Sequence, residues 1–142
     1  MSTVDQLLER LALQPHPEGG FYRQTWQSAT RNADGRALAS SILFLLPTGV
    51  RSHWHRTDGE EIWIHQAGAP LALHIAEHGQ VNTHIVSIEH NPQVVVPANA
   101  WQSAQSNGDW TLVCCIVAPA FEFDTFEMAP PGWDPQSETT LG

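Results

Sequence analysis

Basic residues are scarce in this chain: Lys and Arg together number six against fifteen Asp plus Glu, a formal net charge of −9 over 142 residues. A surface of that sign repels phosphate backbones and anionic headgroups, so nucleic acid and membrane are excluded as partners. Cysteine is nearly absent. The only two, Cys114 and Cys115, are neighbours inside an apolar run, and adjacent strand residues point to opposite faces, so a bond between them would be strained. Both are read as reduced core thiols, the usual state of cysteine in the cytosol. No apolar stretch is long enough to span a bilayer, and Met1-Ser2-Thr3-Val4-Asp5-Gln6 has neither the basic start nor the apolar run of a secretory signal. A cytoplasmic location is the expectation. Helical periodicity is confined to one short segment, which excludes a four-helix or doubly wound fold.

The length fits one domain over residues 1–142 with a core that needs no metal or disulfide to hold it. Val4, Leu7, Leu8 and Leu11 recur at helical spacing with Ser2 or Thr3 as N-cap, which predicts a helix within residues 1–14 that stops before Pro15. From there the rhythm is short strand, short turn. Strands are expected in the run from Glu18 to Trp26, at Ala39 to Leu46, on either side of Asp58-Gly59, at Leu71 to Ala76, Val81 to Ile88, Gln93 to Val96 and Thr111 to Val117, and a last one from Phe121 to Glu127. About nine short strands and one terminal helix describe an all-β fold, a closed or sandwiched antiparallel one. Residues 130–142 carry Pro, Gly, Ser and Thr and read as an irregular tail.

Chemistry concentrates between Ser52 and Gly68. On an extended segment His53 and His55 share a face, and a turn at Asp58-Gly59 brings a carboxylate back on the next strand. Alternation lets only one of Glu60 and Glu61 face inward. Choosing Glu61 also turns Trp63 and His65 inward as one wall of a pocket; choosing Glu60 would bury Ile62 and Ile64 instead, and the reading leans to Glu61. His53, His55 and Glu61 together are the make-up of a site for one divalent transition metal, whether iron, manganese, zinc, nickel or copper. His74, His78, His84 and His90 stand in no ligand spacing. Arg56 either pairs with Asp58 or Glu60 at the surface, the reading slightly favoured, or holds an anionic group of a substrate at the pocket mouth.

Gly49, His53-x-His55, Glu61 and Gly68 resemble the first motif of the cupin superfamily. Pro15-His16-Pro17-Glu18-Gly19-Gly20-Phe21-Tyr22, Glu61-Ile62-Trp63, Gly68-Ala69-Pro70-Leu71, Val96-Pro97-Ala98-Asn99-Ala100-Trp101 and Val117-Ala118-Pro119-Ala120-Phe121 are similar to blocks of its fifth subfamily, a domain of unknown function. The resemblance implies a cupin double-stranded β-helix, or jelly-roll barrel, usually a homodimer, with a pocket inside the barrel. Two positions depart from the pattern. The motif's glycine lies closer to the histidine pair than usual, and the second motif carries Asn99 where glycine is expected and Gln102 where the fourth metal ligand, a histidine, is expected. An amide oxygen is a weaker ligand than an imidazole nitrogen, so the sequence offers three strong ligands instead of four.

Three functions are compatible with these residues. The first is an enzyme with a metal held by His53, His55 and Glu61 as Lewis acid or oxygen activator. The second is a metal-free isomerase similar to deoxysugar epimerases, with His55 or His65 as general base and Tyr22 as general acid. The third is a binding module for a sugar-like or planar small molecule, its pocket lined by Glu18, Phe21, Tyr22, Trp63, His65, Trp101 and Gln102.

Overall fold

A computed structural model describes residues 2–135. The N-terminal helix α1 (Thr3–Arg10) is capped by the Ser2 hydroxyl, which accepts the Asp5 N–H at 3.1 Å. It is shorter than its apolar spacing suggested. Ala12 takes a left-handed conformation (φ 53°), and Gln14 already pairs as a strand with Tyr22, so β1 (Gln14–Pro15) starts where the helix was expected to end.

Ten further strands follow: β2 (Phe21–Gln27), β3 (Ser40–Pro47), β4 (Arg51–Thr57), β5 (Glu60–Gly68), β6 (Leu71–Glu77), β7 (Gln80–Val86), β8 (Gln93–Val96), β9 (Trp101–Ser106), β10 (Trp110–Ala118) and β11 (Phe126–Met128). They form two antiparallel sheets, one in the order β1-β2-β3-β10-β5-β8 and one in the order β11-β4-β9-β6-β7. This is a jelly-roll barrel with a short N-terminal helix. The expected strand from Phe121 to Glu127 is mostly something else: Phe123–Thr125 is a 3-10 turn, and only Phe126–Met128 pairs, against β4. Strand β9 escaped the sequence reading because Trp-Gln-Ser-Ala-Gln-Ser lacks apolar alternation. It lies in the middle of its sheet between β4 and β6, with Gln102, Ser103 and Ala104 all buried.

The apolar residues fill only part of the space between the sheets. Phe44, Leu46, Trp63, Leu71, Leu73, Ile75, Val86, Val113 and Cys115 belong to one buried cluster, a close-packed core that holds the sheets at fixed spacing. Beyond it the interior turns polar. Two local features shape that end. The loop after β1 is pulled onto β4, where the His53 N–H donates to the Glu18 carbonyl at 2.7 Å. A Cβ at Gly19 (φ +106°) would run into the Arg51 carbonyl, so glycine is what lets the loop lie this close and press the Glu18 side chain inward. The second feature is a bulge in β4. Ser52 pairs with Ala104 and His55 with Gln102, so three steps on β4 match two on β9 and the inside-outside alternation is broken between them.

Candidate functional site

At the polar end the sheets enclose a cavity of about 270 Å3. Its floor is a set of buried ionisable groups from four elements: His16 and Glu18 on the loop after β1, His55 on β4, Glu61 on β5 and Cys115 on β10. Phe121, Phe123 and Phe126 wall one side, and Tyr22, Gln14 and Gln24 line it from β1 and β2. Arg36 ties the phenylalanine segment down. It forks onto Asp58 at 2.7 and 2.9 Å and donates to the Ala120 carbonyl at 2.6 and 2.8 Å.

Glu18 is the hub. His55 Nδ1 lies 3.0 Å from its Oε2, and the Ser52 hydroxyl donates to the same oxygen. Burial alone would push the Glu18 carboxyl up, but the charge and hydrogen bond of His55 outweigh it, and Glu18 sits below its usual range. Burial likewise opposes charge on His55. The attraction of Glu18, its hydrogen bond, the nearby Glu61 and the His53 carbonyl at 2.7 Å win, raising the imidazole to about 9. Glu18 and His55 therefore form an anion–imidazolium pair at neutral pH. His16 also approaches Glu18, at 3.2 Å, but is no second cation: its Nδ1 accepts the Glu18 backbone N–H at 3.1 Å, and burial lowers its basicity.

Glu61 differs from Glu18. Burial pushes its carboxyl up, His55 pulls it back, repulsion from Glu18 adds to the rise, and the result is about 7. Its orientation is set from behind. The Trp63 indole N–H, which can only donate, gives its hydrogen to Gln102 Oε1 at 2.8 Å, so the Gln102 amide nitrogen is left to donate to Glu61 Oε1 at 2.8 Å. The Cys115 thiol, held protonated by burial and the adjacent carboxylates, hydrogen-bonds to Glu61 as well. No buried side-chain polar atom among the described residues lacks a partner.

The structure brings together some of the sequence-predicted residues and separates others. Glu61, His55, Glu18 and Tyr22 meet at the cavity, while Glu60 is exposed. Gln102 and Trp63 lie behind Glu61, with Trp63 packed in the core. His65 stands four residues further along β5, roughly 13 Å at ~3.3 Å per residue, its Nε2 3.2 Å from the Gly68 carbonyl. Phe21 is not part of the cavity wall, and Trp101 packs against Trp133 and under Arg56. His53 is turned away by the β4 bulge, and its Nε2 lies 3.1 Å from the Pro130 carbonyl. Arg56 pairs with Glu127 at 2.7 Å instead of Asp58 or Glu60.

His53, His55 and Glu61 therefore do not converge as a metal triad. Among the described residues no group of three or more His, Cys, Asp or Glu side chains is arranged to hold a metal ion, and the imidazole nitrogen nearest the carboxylates is engaged by Glu18. Sequence reasoning missed His16, Cys115 and the three phenylalanines. The spacing His16-Pro17-Glu18 ahead of two glycines and Phe121-x-Phe123-x-x-Phe126 were the available signals.

The family described as Cupin superfamily (DUF985) matches residues 5–129. The chain is a member of that family. Among solved structures, this cupin is similar to a protein from Shewanella oneidensis at 35% identity and TM-score 0.87, covering 99% of this chain and 89% of that one. It is similar to a protein of Leishmania major described as hypothetical at 29% identity and TM-score 0.81, covering 90% and 88% of the two chains. Oxalate decarboxylase from Bacillus subtilis is 13% identical with TM-score 0.63 over 80% of this chain and 29% of that one, a likeness of fold alone. No curated protein matches the chain in sequence. No helix among the described residues is long and apolar enough to cross a membrane.

Proposed function

We propose that this cupin is a small-molecule enzyme that moves a proton at a carbon next to a carbonyl, with Glu61 as the group that takes and returns it. The observation that carries this reading is the Glu61 carboxyl: buried at a cavity wall, fixed through one oxygen by Gln102, and poised at about 7. A base whose pKa lies near the working pH combines the right protonation state with the greatest driving force for transfer. Glu61, rather than His55 or His65, takes that role because His55 is already protonated and His65 lies outside the cavity.

The step balances without a further reactant. Glu61 as carboxylate accepts the proton of the carbon beside the carbonyl; the electron pair moves into a carbon–carbon double bond and the carbonyl oxygen gains negative charge. The His55 imidazolium, buried and fixed by Glu18, stabilises that developing charge. Protonated Glu61 then gives the proton back to the same carbon as the carbonyl re-forms; for an isomerisation, which requires a hydroxyl on that carbon, it gives it to the former carbonyl carbon while the hydroxyl proton passes to the former carbonyl oxygen and the hydroxyl-bearing carbon becomes the new carbonyl. The reading requires no metal.

The test is exchange with heavy water. Carbonyl compounds incubated with the protein and recovered should carry deuterium beside the carbonyl by mass spectrometry, and Glu61→Gln should abolish it. A panel of keto and aldehyde compounds that bind but never exchange leaves a binding module as the better account.

A further inference from the structure

Resting on the proton-transfer reading, we infer that the substrate is an uncharged, polyhydroxylated carbonyl compound of free-monosaccharide size, carrying neither phosphate nor nucleotide. Size is the first argument. About 270 Å3 lies just below the ~300–1,000 Å3 usual for small-molecule sites, which suits one sugar ring or its open chain and is too small to bury a nucleotide beside it.

Charge is the second. Phosphate is recognised by Arg, Lys or helix N-termini. None of the residues lining the cavity is Arg or Lys. The nearby guanidinium of Arg36 is spent on Asp58 and the Ala120 carbonyl, and that of Arg56 on Glu127. The one cation on the floor, His55, is already paired with Glu18, and Glu61 adds a second carboxyl. A phosphate dianion entering here meets two acidic groups and a single imidazolium whose charge Glu18 already balances, which suffices for the partial charge developing on one carbonyl oxygen but not for two full negative charges.

The walls are the third argument. Phe121, Phe123 and Phe126 stand edge-to-face at 4.9–6.3 Å from one another, an apolar surface for the C–H face of a sugar. Along β1 and β2, the Gln14 and Gln24 amides and the Tyr22 hydroxyl line the cavity and hydrogen-bond to no other side chain or backbone group among the described residues. They offer neutral donors and acceptors to a row of hydroxyls. A flat aromatic metabolite would use the rings and leave these three groups unanswered.

The test is calorimetric titration of the full chain with free aldoses and ketoses, the corresponding sugar phosphates, nucleotide sugars and small amines, with deuterium exchange followed on each. At least one free sugar should bind saturably, its phosphate about tenfold more weakly or not at all, and the exposed-site variants Gln24→Ala and Phe123→Ala should each weaken the sugar about fivefold or more. Equal or tighter binding of a phosphate, nucleotide sugar or amine overturns the inference, as does a panel in which no free sugar binds. Sugar binding without exchange rejects Glu61 as a proton carrier and leaves the substrate class standing. Exchange on a phosphorylated compound alone does the reverse.

Discussion

Gln102 holds Glu61 by a single hydrogen bond of 2.8 Å whose direction is dictated by Trp63, since an indole N–H accepts nothing and so fixes which end of the amide faces the carboxyl. This bond favours the charged form of Glu61 and moderates the rise that burial causes. Replacing Gln102 by Leu removes it. The Glu61 pKa is then expected to move above about 7, read by carbon NMR of the carboxyl or by the acidic limb of the exchange rate. Stability should fall by about 1–3 kcal/mol, because the indole N–H is left buried without an acceptor. An unmoved Glu61 titration would show that the amide is packing only.

Glu18 carries a heavier structural duty than Glu61. It is buried to 7% exposure, balances the His55 charge and receives the Ser52 hydroxyl. Removing one partner of a buried ion pair strands the other, a loss on the order of 3–5 kcal/mol. Glu18→Gln should lower the urea midpoint by that scale and drop the His55 pKa well below about 9, read by proton NMR of the imidazole. A variant as stable as the parent would mean that the pair contributes nothing net.

His55 and Glu61, both raised, lower stability as pH rises, while the lowered His16 acts oppositely below 6.5. His55 titrates at about 9 in the fold against 6.5 ordinarily, so its contribution is complete below 6.5 and lost as pH climbs through about 9. Glu61 at about 7 against 4.5 has the same sign: folding favours its protonated form, and that advantage fades between 4.5 and about 7. Glu18, lowered, acts oppositely and withdraws its support as pH falls below 4.5. Unfolding free energy should therefore decline from pH 6.5 to alkaline pH, by up to about 1.4 kcal/mol per pH unit within each group's window. Glu61→Gln should remove the decline that Glu61 contributes between 4.5 and about 7 and leave the alkaline fall in place. Urea titrations at a series of pH values check both segments, and a stability that rises toward pH 9 would contradict the assignment.

The fold was legible because its signals are local. Prolines after α1, turns at Asp58-Gly59 and Glu77-His78-Gly79, and alternation in β5 place strands without reference to their partners, and Glu61 was separable from Glu60 by what else its choice turns inward. The site was legible only where alternation held. His53 was grouped with His55 because an extended strand puts them on one face, and a one-residue bulge against β9, invisible in the sequence, undid that. His16 and the Phe121–Phe126 wall join the site through tertiary contacts of the loop after β1 and of the segment after β10. No spacing rule reaches across such distances.

His53 supplies the sharpest check on the donor set, because it separates the expected triad from the observed cluster. Its ring reaches the Pro130 carbonyl at 3.1 Å while His55 faces Glu18, so truncating it costs one partly exposed hydrogen bond, about 1 kcal/mol, and touches none of the cavity walls. Protein purified without a histidine tag should hold no near-stoichiometric transition metal by elemental analysis. His53→Ala should show the same metal content, the same His55 and Glu61 titrations and, where a substrate is in hand, the same exchange rate within a factor of about two. A near-stoichiometric metal that vanishes in His53→Ala would mean that the strand straightens on binding and completes the triad. In that case Glu61 would serve as a ligand and could not act as the base.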